Sequence, residues 1–152
     1  MSCELIAPNR QTILPGQDLI FEEASVPCTK GIVQFNADTG AVMLSGLNRT
    51  NVAPCGCRQP VNTNYLIDFG ANIAISTGGT VGEISVGIVV GGLVVPSTIM
   101  RVTPAAVQEF FNVSRAKIVS IFRNCCQTVG IRNLSTQSID VEGANMIIDL
   151  AK

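Results

Sequence analysis

The residues best able to do chemistry in this chain are its six cysteines. Cys125 and Cys126 stand side by side in FRNCCQTVGIRN, Cys55 and Cys57 share PCGCRQP, and Cys3 and Cys28 lie nearer the start. Zinc sites are built on C-x2–4-C pairs, and neither CGC nor CC has that spacing. The chain has no histidine, which removes the commonest partner ligand and the axial ligand of a c-type haem. Neighbours along a strand point to opposite faces, so Cys125 and Cys126 cannot serve one partner on one side. A disulfide between them would strain the backbone. The expectation is that one packs inward as a small hydrophobe and the other looks outward. Loop 51–60 is long enough to bring Cys55 or Cys57 to an outward partner, and Cys3, on an N-terminal tail, can reach another subunit. All six are candidates for disulfides or cross-links closed after assembly. The alternative is six reduced packing thiols, since MSCELIAPNR lacks the basic start and apolar core of a signal peptide.

Other chemistry finds no residues to carry it. Without histidine there is no Ser-His or Cys-His device and no imidazole base. Asp68 and Asp149 fall within strand-like runs, Glu22-Glu23 and Asp140–Glu142 near turns. None forms a pair with glycosidase character. STGGTVG lacks the lysine and the following helix of a phosphate cradle, so it reads as a turn. Asn48, Asn112 and Asn133 head N-x-S/T sequons, which matter only after export through a glycosylating compartment. No catalytic residue, metal site or cofactor is expected.

The elements that must position the cysteines are strands. In YLIDFGANIAI, Tyr65, Ile67, Phe69, Ala71, Ile73 and Ile75 share one face, and Leu66, Asp68, Gly70, Asn72 and Ala74 the other. EISVGIVV repeats the alternation, with Ile84, Val86, Ile88 and Val90 inward. GIVQF, AVMLSG, TIMRV, AKIVSIF, CQTVGIR, QSIDV, NMIIDL and DLIF supply further strands. Pro15-Gly16, Asp38-Thr39-Gly40, Thr77-Gly78-Gly79, Gly91-Gly92 and Glu142-Gly143 supply turns between them. VTPAAVQEFFNVS reads as one helical turn at most, or as an irregular crossover. The organisation predicted is a tail over residues 1–12 and one all-β domain over 13–152, an antiparallel sandwich or jelly roll.

Composition bears on partners. The chain is 47% hydrophobic but only 14% charged, against about a quarter in an average domain, and its mean hydropathy is +0.40. A subunit so short of charge is expected to bury part of its surface against other chains. Apolar stretches are broken well before the roughly 20 residues of a membrane span. Lysines and arginines are scattered singly and the net charge is −1. Neither a membrane nor nucleic acid is an expected partner.

GIVQFNADTGAVMLSG, YLIDFGANIAI, ISVGIVVGGLVVPST and VEGANMIIDLAK occur in an order and spacing that resemble the jelly roll of the tumour necrosis factor and complement globular-head superfamily. The similarity spans roughly Ile13 to Lys152 and is strongest to the bacterial branch, which includes domains of collagen-like spore-surface glycoproteins. The chain has no collagen-like Gly-X-Y stalk. The stretches FGANIAI, TPAAV and CCQTV also resemble small proteins of tailed phages and prophages of Gram-positive gut bacteria. The resemblance implies a homotrimer with one sheet of each subunit around a threefold axis. On that view Tyr65, Ile67, Phe69, Ile73, Met146 and Ile148 line the seam; otherwise they fill the sandwich core.

The leading expectation is a structural assembly protein: a trimeric decoration or head-fibre component on the surface of a tailed phage virion, made in the cytoplasm. Its partners would be itself and capsid or other particle-surface proteins. A second reading is a spore-surface or appendage subunit cross-linked through Cys3 and its companions. A third is a trimeric module binding a host-surface glycan or receptor through loops 48–64 and 103–114.

Overall fold

The computed structural model describes residues 2–28, 32–47, 50–52, 55, 58–60 and 62–151. In chain order the strands are β1 (Ser2–Ala7), β2 (Gln11–Ile13), β3 (Glu23–Val26), β4 (Val33–Asn36), β5 (Ala41–Ser45), β6 (Thr50–Val52), β7 (Arg58–Pro60), β8 (Thr63–Ile75), β9 (Ile84–Val90), β10 (Leu93–Val94), β11 (Met100–Val102), β12 (Phe111–Ile121), β13 (Cys126–Asn133) and β14 (Ile139–Leu150). A single 3-10 turn, Pro96–Thr98, precedes β11. Two six-stranded antiparallel sheets form. Sheet I runs β12-β8-β14-β1-β3, with β2 also on β14. Sheet II runs β10-β9-β13-β5-β4, with β11 also on β9. β6 and β7 make a separate hairpin. The all-β sandwich expected from the alternation is the fold observed.

Between the sheets lies a core of aliphatic and aromatic side chains. Leu5, Phe21, Leu44, Tyr65, Ile67, Phe69, Ile84, Ile88, Ile121 and Ile131 are among its fully buried members. Burying such a side chain is worth about 2 kcal/mol. The Tyr65 hydroxyl is satisfied inside that core: it donates to the carbonyls of Ser45 and Ile32.

Four details depart from the sequence reading. Residues 2–12 are not a tail. β1 pairs with both β14 and β3, and its inward positions Cys3, Leu5 and Ala7 are buried; six residues are too few for alternation to stand out against a polar N-terminus. QSIDV and NMIIDL are one strand, not two. Gly143, at φ 59, takes the extra residue of a bulge at the register shift between Glu142 and Asn145, so the chain bends and continues instead of reversing. DLIF forms only an isolated bridge between Asp18 and Arg132. It lies along β13 nonetheless, with Leu19 N–H donating to the Ile131 carbonyl and Leu19 and Phe21 buried. Finally, residues 103–110 form the irregular crossover that the sequence allowed, but the FNVS end of VTPAAVQEFFNVS already belongs to β12.

Candidate functional site

The Cys3–Cys28 disulfide joins β1 to the segment just past β3, with 4.7 Å between Cα atoms. Cys3 is 1% exposed. It is closed within its own chain, which corrects the expectation that it reaches another subunit. Cys125 sits in the turn before β13 rather than in the strand, following Asn124 at φ 57. It is half-buried and packs against the core, its thiol 3.7 Å from the Cys126 carbonyl. Cys126 opens β13, is exposed, and lies 3.6 Å from the Ser45 hydroxyl. Neither is in a disulfide. Cys55 is exposed between β6 and β7, and Cys57 falls outside the described residues. Among the described residues no group of three or more His, Cys, Asp or Glu could hold a metal ion.

The six seam candidates lie elsewhere. Tyr65, Ile67, Phe69, Ile73, Met146 and Ile148 are at most 1% exposed in the lone chain. A side chain already covered by its own sandwich has no area left for a second subunit, so these residues are core and the seam assignment is corrected. The opposite face of the same strands is the available one. There Leu66 is 39%, Ile118 57% and Ile147 39% exposed. Register sets Ile118 beside Leu66 and Asp68 beside Ile147.

One polar site was missed by reading the sequence. Asp140 is only 6% exposed, although its position on β14 points away from the core. The crossover 103–110 covers it. One carboxylate oxygen accepts hydrogen bonds from the Thr12 and Ser76 hydroxyls at 2.8 and 2.7 Å. The other accepts from the Gln108 amide at 2.7 Å. Gln108, at φ 61, also donates its backbone and side-chain N–H groups to the Ile75 carbonyl. Its side-chain oxygen accepts from Arg10, which pairs with Glu142 at 3.1 Å and lies 4.8 Å over the Phe110 ring. Burial pushes the Asp140 pKa up, but the bonds from Gln108, Ser76 and Thr12, with the Arg10 charge, outweigh it and hold the carboxyl below its ordinary value. With both oxygens engaged by donors from three other segments, this carboxylate is an anchor for the crossover. No sequence signal marks it beyond a lone Asp between Ile139 and Val141.

The two candidate ligand loops differ in what can be said of them. Much of loop 48–64 lies outside the described residues, while loop 103–114 is held down by the Asp140 network. An open hollow of about 870 Å³ lies beside Cys28, lined by uncharged residues that include Val33, Phe35 and Met43.

The sheet order and burial can now be set against known structures. Eiger TNF from S. frugiperda superposes with a TM-score of 0.65 at 9% identity, covering 100% of this chain and 93% of that one. The globular domain of zebrafish complement 1qA protein gives 0.59 at 10% identity, covering 99% and 97%. The fold is a jelly roll of the tumour necrosis factor and complement-head type. At these identities the likeness extends to architecture alone. No protein-family model and no curated protein matches the chain.

Proposed function

We propose that this chain is a non-catalytic, self-associating module, a homotrimeric building block of a particle surface. The observation that carries this reading is the outer face of sheet I. In a chain with 14% charged residues, it leaves Leu66 and Ile118 paired in the register and Ile147 diagonal to Leu66, all three exposed to water. Apolar groups gathered on one sheet face are removed from water most simply by another protein surface. The trimer count is supported by the resemblance to the tumour necrosis factor superfamily and by the shared architecture. The finer setting, a decoration or head-fibre component of a tailed phage, is supported by the likeness of FGANIAI, TPAAV and CCQTV to phage and prophage proteins. On this reading the chain is made in the cytoplasm, and the Cys3–Cys28 bond closes once the particle meets oxidising surroundings.

Light scattering on purified protein at low micromolar concentration tests the module. Three times the 16.0 kDa chain mass is the expected result, and a clean monomer overturns it. The genes on either side test the setting, where capsid and portal genes are expected.

A further inference from the structure

Charge is unevenly placed on sheet I. Between the Gly143 bulge and the chain ends, β12, β8, β14 and β1 turn three carboxylates outward, Glu4, Asp68 and Asp149. Among the described residues of that stretch they turn no cation outward. Asp68 and Glu4 lie in one row across the strands, with Ile147 between them. Two cations stand on a different surface of the same sheet. Arg115 and Lys117 project from the other side of β12, the last strand of sheet I, where the sandwich opens beside β11 and the 3-10 turn. Asp68, Arg115 and Lys117 form no salt bridge among the described residues.

Resting on the self-association proposed above, we propose that copies associate face to edge, Asp68 and Glu4 of one copy receiving Lys117 and Arg115 from the β12 margin of the next. A face-to-face contact would press carboxylates on carboxylates, which is unfavourable in a partly desolvated seam. Face to edge joins opposite charges, and it brings the aliphatic residues Leu66 and Ile147 under the incoming strand. The spans are compatible. Two strand spacings, about 10 Å, separate the carboxylates, and two residues, about 7 Å, separate the cations. Long flexible side chains close the difference when the strands cross at a large angle. Because donor and acceptor surfaces do not overlap, the contact is heterologous, and it is complete only in a closed ring.

The test measures the dissociation constant of the assembly for the unmodified protein and for Asp68→Lys, Lys117→Glu and the double variant. Circular dichroism and melting confirm that each is folded. Each single change is expected to weaken assembly about tenfold or more, with most of the loss recovered in the double. For the unmodified protein, raising salt from about 0.05 M to about 0.5 M is expected to weaken assembly severalfold. Single variants that assemble normally, a double variant weaker than either single, or a constant indifferent to salt would each overturn the pairing while leaving self-association intact. An unmodified protein that is monomeric at low salt overturns the reading beneath it.

Discussion

At Asp140 the protein keeps a charge under cover and surrounds it with donors, and this has consequences in acid. The folded-state pKa lies below the ordinary carboxylate value. The stabilisation is therefore fully present above the unfolded pKa of about 4 and is lost as pH falls through the folded one. Asp140→Asn is expected to cost about 1–3 kcal/mol at neutral pH. The gap from the unmodified protein should shrink below about pH 4 in denaturant titrations run at both pH values. A second residue prediction concerns Gly46. A Cβ there would overlap the Phe122 carbonyl oxygen, a contact with backbone that no rotamer relieves. Gly46→Ala should lose about 3 kcal/mol in the same assay. Neither site was legible beforehand. Asp140 is buried by a segment that approaches from 32 residues away, and Gly46 is fixed by a turn that folds back from the end of β12.

At the level of elements, the long strands were readable because alternation persists over enough residues to exceed chance. In β8 the inward and outward sets follow the pattern until Ala74, which faces outward and is still 0% exposed; it pairs with Asp140, on the patch where the crossover 103–110 is bonded down. β1 was not readable for the opposite reason, too short a run. It is secured by more than pairing: the Cys3–Cys28 bond ties it to the chain 25 residues on. Removing a cross-link of that span costs about 3 kcal/mol. Cys28→Ser should therefore melt several degrees lower than the unmodified protein, and a reductant should lower the melting temperature of the unmodified protein but not of the variant.

For the whole molecule, the order of segments carried the architecture, while the choice between two apolar faces did not follow from composition. The face richer in large side chains belongs to the core, since sandwich interiors are close-packed. The sparser face, with Leu66, Ile118 and Ile147 among carboxylates, stays exposed in the lone chain and is the one proposed above for a partner. Ile118→Lys should then abolish assembly in light scattering while moving the monomer's melting temperature little, because Ile118 is 57% exposed in the lone chain.

Strand β12 runs for eleven residues and pairs only with β8 among the described residues. An open backbone of that length is a template on which further strands can stack without limit, as in a fibril. Arg115 and Lys117 stand at its flank, where a stacking strand would have to bury two like charges. The same pair that admits a carboxylate-bearing face thus turns away a bare strand, which would keep growth finite.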